Sequence, residues 1–343
     1  MSTSQLRCVY LDHPSNLEVS KWLREFEDGL QNCKLHETAR LGLTGTNPDE
    51  LREPFPKVES HSAYLYGVLA TPTDITDGRS DFFSIQFVIN EVMAIIVLWG
   101  PNENALSRSN ELFNSISSMQ SIDVQSNRTS DENPGDVFVR VARVIISDLQ
   151  NVLSSLQKLV QAELVEVESS LFNDRYQSMS SEASDKYKRV SELKLEILSI
   201  KSPIAETQNV FHAISQERVR IQPPFASGKS DVSPFNTDQR IWIEDLLMRT
   251  RSLKAQRDGL EDEVRLLYER LESLETRRQT AAQMRFAAVA SILLLPALIV
   301  GFFGQNFDLN PWTGATNSWA ISALVLGGLA LIQFVYFKKK KWL

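Results

Sequence analysis

A chain of 343 residues has room for two or three domains, each with its own core. Acids outnumber bases by 43 to 36, and a net charge of −7 argues against nucleic acid as a partner. The charge is uneven: from Arg285 onward only Arg285, Asp308 and the run Lys338–Lys341 are charged, a net of +4, so residues 1–284 carry −11.

The N-terminal third reads as α/β. Short apolar runs at 6–11, 63–70, 82–89 and 92–99 have strand character, the last two joined through a tight turn at Asn90-Glu91. Residues 16–30 form an amphipathic helix with Ser15 as its cap, and 103–119 form another. Residues 126–133 are polar and end at Pro134-Gly135, a domain boundary. No leader is expected, because no basic region followed by an apolar run opens the chain. Cys8 and Cys33 are therefore read as reduced cytoplasmic thiols. His13, His36, His61 and His212 show no ligand spacing with them. Gly228-Lys229-Ser230 has Pro223 where a phosphate loop needs glycine, and no catalytic constellation appears elsewhere. Neither an enzyme nor a bound cofactor is expected.

From Asp136 the pattern is helical. Residues 137–172 read as one helix and 181–215 as a second, with Pro203 a kink or break. Residues 222–234 hold three prolines and read as a loop. Then Leu246, Leu253, Leu260, Leu267 and Leu274 recur every seven residues, and Ala281 continues the series. Three positions earlier in each heptad lie Ile243, Thr250, Arg257, Val264, Leu271 and Arg278. The two arginines do not suit a dry two-stranded seam. They fit several helices around a wet lumen, or contact with flanking helices. No breaker follows, so the helix is expected to run from Thr237 to Phe303.

Residues 286–303 are 18 without a charge, ~27 Å of helix, close to the thickness of a bilayer core. Residues 319–337 are a second uncharged run, of 19. Arg277, Arg278 and Arg285 precede the first and four lysines follow the second, which places both termini in the cytoplasm and the short loop outside. Trp312, Trp319, Tyr336 and Trp342 stand at the two interfaces. The organisation expected is thus a cytoplasmic α/β domain at 1–125, a helical arm at 134–235 and a stalk at 237–285. Membrane helices at 286–303 and 319–337 follow, separated by a loop at 304–318 and closed by a basic tail at 338–343.

The first span ends in Gly304-Gln305-Asn306. A stalk entering the membrane, a Gly-x-Asn motif, a short loop and a second span stopped by lysines resemble the CorA family of divalent-cation transporters, whose motif here is Gly-Met-Asn. Leu294-Leu295-Pro296 within the first span and the tail Tyr336-Phe337-Lys338 to Leu343 are similar to the family as well. The resemblance implies a funnel-shaped homopentamer in the plasma (cell inner) membrane, with divalent cations and lipid as its other partners. It implies a channel-like pore lined by the first span, with Gly304, Gln305 and Asn306 selecting the ion and Asp308 as an acid at the outer mouth. Thr280, Gln283, Ala287, Ala290, Leu294, Ala297 and Gly301 recur at steps of three and four and would line it, with Leu294 as a hydrophobic constriction. Small residues on one face also serve close helix packing. Asp245 matches the position of the family's regulatory metal site, with Asp74, Asp77 or Asp81 as possible partners. The expected cargo is Mg²⁺, with Co²⁺, Ni²⁺ or Zn²⁺ as alternatives. Gln305 in place of Met keeps open a ZntB-like zinc transporter coupled to protons, and a coiled-coil scaffold anchored in the membrane is the reading without transport.

Overall fold

The computed structural model describes residues 7–12, 14–30, 34–45, 55–76, 79–100, 112, 114, 127–130, 133–172, 180–222, 233–304 and 318–340. It divides into two units, Met1–Glu166 with Ser181–Leu267, and Val167–Ser180 with Tyr268–Leu343.

The first unit is built on a six-stranded sheet. Its strands are β1 (Arg7–Asp12), β2 (Lys57–Ser60), β3 (Leu65–Thr76), β4 (Arg79–Ile89), β5 (Met93–Trp99) and β6 (Asn127–Ser130), in the order β2-β3-β4-β5-β1-β6. Only β1 and β5 run parallel; the other neighbours are antiparallel. The β4–β5 turn forms as the sequence implies: Asn90 Oδ1 accepts the N–H groups of Val92 and Met93 at 2.8 and 2.6 Å. Helix α1 (Asn16–Gly29) opens with a full capping box, in which Ser15 and Glu18 each satisfy the other's backbone N–H. Helix α2 (Glu37–Leu43) was not legible in the sequence; it is seven residues long and capped by His36.

Alternation along the strands gives the sheet two apolar faces. Val9, Leu11, Tyr64, Tyr66, Val68, Ile95 and Val97 meet Leu23 and Phe26 of α1 and Ala39 and Leu43 of α2. The other face receives α3 (Pro134–Phe172): Phe138 meets Phe87 edge-on, 5.1 Å between centroids, and Phe235 packs 5.2 Å away on its other side. This burial on both faces makes the unit a helix–sheet–helix sandwich.

The expected helix at 181–215 is two helices, α4 (Ser180–Ser199) and α5 (Lys201–Ser215), divided at Ile200. Pro203 falls in the first turn of α5, where a missing N–H costs nothing, so the chain breaks just ahead of it instead of kinking. Helix α4 runs back along α3 through Lys186–Glu166 and Arg189–Glu163 pairs at 3.1 and 3.4 Å. The polar stretch at 126–133 supplies edge strand β6 against β1, and the strand expected at 63–70 begins two residues later. The helix expected at 103–119 lies outside the described residues except at 112 and 114, as do Cys33 and most of 222–234. Cys8 is buried in β1 as a thiol.

Helix α6 (Thr237–Phe303) is unbroken over 67 residues, Pro296 included. In the first unit it starts beside α3 and runs in the same direction. Gln239, 1% exposed, fastens the two starts together: its Nε2 donates to Asn133 Oδ1 and Asp136 Oδ1 at 3.0 and 2.8 Å, and its Oε1 accepts from Asn236 N at 2.9 Å. Gly135 allows this approach, since a Cβ there would lie 2.2 Å from Gln239 Oε1. Ile243, Leu246, Thr250, Leu253, Arg257, Leu260, Val264 and Leu267 are all buried, so the heptad rows pack inside the chain. In the second unit, Arg270 of α6 pairs with Glu168 of α3. Helix α7 (Ser318–Lys339) ends in Lys338 and Lys339.

Candidate functional site

The end of α6 is long and apolar enough to cross a membrane, and only 6% of that stretch is buried within the chain. The core helix of a soluble domain would be covered instead. Phe286, Leu293 and Leu298 are each at least two-thirds exposed, as lipid-facing side chains would be.

All seven expected pore-lining residues are exposed: Thr280, Gln283, Ala287, Ala290, Leu294, Ala297 and Gly301. Leu294 is 71% exposed, and a Cβ on Gly301 would meet nothing within 4 Å. The covered side of the same helix carries Ala288, fully buried, with Ile292, Pro296 and Ile299 half-buried. At 100° per residue these lie opposite the exposed stripe. The Thr280 hydroxyl is already engaged, donating to Thr276 O at 2.9 Å.

Gly304 closes the helix, its N–H donating to Val300 O at 2.9 Å. It does not take the left-handed conformation usual for a terminal glycine; among the described residues only Glu217 and Gly45 have positive φ. Gln305, Asn306 and Asp308 lie outside the described residues.

Asp245 stands on α6 in the first unit, 46% exposed, and accepts from Arg249 Nε at 2.9 Å one turn on. Its charge is thus partly offset by its own helix. Among the described residues no three His, Cys, Asp or Glu side chains are grouped as metal ligands. Asp74 and Asp81 belong to β3 and β4, and Asp77 lies outside the described residues.

A second row on the stalk was overlooked in the sequence. Ile241 and Met248 are each 59% exposed and Leu266 38%, while Trp242 is 49% exposed with the Arg143 guanidinium 4.0 Å from its ring. Ile241, Met248 and Ala255 are spaced by seven, and Asp245, Ser252, Gly259 and Leu266 form a parallel series. The sequence signal is short: Ile241, Met248 and Ala255 are apolar, and Asp262 and Glu269 then occupy the same row.

A layered α/β domain whose last helix continues into a segment fit for the bilayer defines a membrane protein with a large domain outside the lipid. Residues 39–339 match the family described as CorA-like Mg²⁺ transporter protein. The chain belongs to that family. It is 24% identical over 207 residues to the magnesium transport protein CorA of Haemophilus influenzae, an alignment covering 57% of this chain and 64% of that relative's length. The fold is similar to the complete CorA magnesium transporter of Methanocaldococcus jannaschii, with a TM-score of 0.69 at 13% identity over 99% of this chain and 92% of that one. It is also similar to the ZntB cytoplasmic domain of Vibrio parahaemolyticus, with a TM-score of 0.52 at 10% identity over 78% of this chain and 88% of that one.

Proposed function

We propose that the chain is one subunit of a homopentameric, channel-like divalent-cation transporter, with Mg²⁺ as the leading cargo and the electrochemical gradient as the driving force. A second membrane span, α7, and cytoplasmic termini belong to the same reading. The observation that carries it is one pair of heptad rows on α6. Asp245, Ser252, Gly259, Leu266, Ser273, Thr280, Ala287, Leu294 and Gly301 make one row. Ile241, Met248, Ala255, Asp262, Glu269, Thr276, Gln283, Ala290, Ala297 and Gly304 make the other. Every one of these residues is exposed in the single chain, as is the neighbouring row from Glu244 to Val300, so together they form one broad outward face. The expected pore stripe is therefore the continuation of the stalk's outward rows, which suits the same helix from neighbouring copies around one axis.

The chemistry agrees. Mg²⁺ loses its water reluctantly, so oxygen dipoles from five copies of Asn306 can hold the hydrated ion by outer-shell contacts. A membrane potential supplies about 2.3 kcal/mol per charge per 100 mV, and twice that for a dication, so no nucleotide site is needed. Gln305, where the family has Met, supports zinc as the second reading.

Reconstitution of the full chain in liposomes, with Mg²⁺ or Zn²⁺ outside and with or without a pH gradient, tests the proposal. Mg²⁺ uptake independent of the pH gradient is expected. Asn306→Ala should abolish it while the oligomer persists, because the helix faces hold the assembly. Uptake at the wild-type rate by that variant would reduce the motif to a helix end.

A further inference from the structure

Between β2 and β3 the chain turns through His61–Tyr64, closed by a bond from His61 N to Tyr64 O at 2.9 Å. Three rings stack there. His61 lies over Tyr64 at 4.7 Å between centroids and 22° between planes, and over His36 at 5.5 Å and 21°. His36 comes from the start of α2, and its backbone N–H donates to Tyr64 Oη at 2.7 Å. It also caps that helix: Nδ1 accepts the Thr38 N–H at 3.4 Å and lies 2.8 Å from Thr38 Oγ1. Capping requires Nδ1 to carry no proton. The same turn holds the segment leading from α5 toward α6. Gln222 N donates to Ser62 O at 2.6 Å, and Ser60 Oγ donates to Arg220 O. Three parts of the first unit thus meet at the β2–β3 turn that carries His61.

We propose that the His36–His61 stack is a proton-operated latch, which holds α2 and residues 219–222 to the β2–β3 turn while the His61 ring is neutral and loosens when His61 is protonated. A proton on His61 puts a charge into a half-buried stack, and both the burial and the neighbouring His36 disfavour it. Against these stands Glu59 of β2, whose Oε2 is 3.6 Å from His61 Nε2, but its other oxygen is held by Lys57 Nζ at 3.1 Å. From the α5–α6 segment Arg220 faces the turn through its carbonyl, and its guanidinium pairs with Glu217 at 3.3 Å. On the His36 side are Glu37 in the first turn of α2 and the Arg40–Glu27 pair linking α2 to α1. Burial lowers the His61 pKa below the ordinary 6.5; Glu59 opposes this, and His36 lowers it further. With the folded value depressed, the latch is at full strength above pH 6.5 and weakens as pH falls toward the folded value.

Amide hydrogen exchange of the full chain in detergent, corrected for intrinsic rates, reads the latch directly. Between pH 7.5 and 5.5 protection of α2 and of the Gln222 amide should fall by up to about tenfold, the limit for one group regaining an ordinary imidazole value. His61→Gln removes the titrating ring, so its protection of α2 and of Gln222 should not change over this range. His36→Asn keeps a capping oxygen without the stacked ring, so its fall should persist but be smaller, because burial comes first among the causes of the His61 shift. A wild-type profile that stays flat, or an equal fall in both variants, overturns the proposal. If His61→Gln does not fold, the wild-type profile and His36→Asn still decide.

Discussion

Replacing Gln239 by Glu separates what the local sequence implies from what the fold requires. Asn236 and Gln239 form a reciprocal cap at the start of α6, with Gln239 N donating to Asn236 Oδ1 at 2.8 Å and Asn236 N to Gln239 Oε1 at 2.9 Å. By capping rules alone Glu serves as well as Gln at this position. The amide nitrogen, however, is the only donor for Asn133 Oδ1 and Asp136 Oδ1 that side chain provides, and a carboxylate removes both bonds. The bond to Asp136 is charge-assisted but Asp136 is exposed, so it counts near the low end, about 1.5 kcal/mol, and the bond to Asn133 about 1. Carboxylate facing carboxylate, one of them at a position only 1% exposed, adds at least roughly 1 more. The expected loss is at least ~3.5 kcal/mol at pH 7.5, concentrated at the paired starts of α3 and α6. Amide exchange over residues 133–140 and 236–243, alongside thermal melting of the full chain in detergent, measures it. Gln239→Met should lose about as much, because it adds no charge but removes the acceptor for Asn236 N as well as the two donors. A Glu variant as protected as the wild type would show that the cap alone matters and that the link to α3 contributes nothing.

Other expectations concern charge and assembly. Asp308→Asn should raise the ion concentration needed for half-maximal liposome uptake, mainly at low salt, because a ring of acids focuses cations only within a Debye length of ~10 Å at 0.1 M. Glu196 is 6% exposed with an Oε2 that finds no hydrogen-bond partner among the described residues, and burial, then Glu192, raises its pKa above the ordinary 4.5. Stability should therefore fall as pH rises from 4.5 through that elevated value, and melting of Glu196→Gln over the same range should lack the slope. With Cys8 and Cys33 replaced, Met248→Cys or Ala255→Cys should cross-link copies of the chain in the membrane, whereas Arg251→Cys, in the row beside theirs, should not.

Legibility followed the range of the interactions. Helix α1 carried its own cap and stripe, and the β4–β5 turn carried its asparagine, so both could be read from a few adjacent residues. Strand β6 could not, because Asn127–Ser130 is polar and becomes a strand only by pairing with β1. Helix α2 is too short for periodicity and begins at a histidine, an uncommon cap. The break at Ile200 was placed at Pro203 because the pattern showed a proline without showing which turn would hold it. Of the candidate site, the stripe on α6 was legible as spacing. Its exposure was not, since small residues pack against a neighbour as readily as they line a pore.

The arginines of the leucine rows left two arrangements open, and Arg257 decides between them for its part of the stalk. It is 4% exposed and pairs with Asp258 and with Glu261, at 2.6 Å for the latter, both on its own helix and both reaching solvent. An arginine bordering a wet lumen would be exposed in a single chain. Arg257 instead sits in a contact within the chain, its charge led outward through two acids, so the leucine rows cannot also be the rows that face other copies. In the proposed oligomer that role falls to the outward face, which includes the pair of rows from Ile241 to Gly304. A straight helix drifts ~20° per heptad against a strict seven-residue repeat, so across nine heptads an outward row would swing through half a turn. Over the stalk, the leucine rows packed inside the chain already hold the opposite face outward at every seventh residue. The proposed oligomer would use that face, and cross-linking from Met248→Cys or Ala255→Cys tests it.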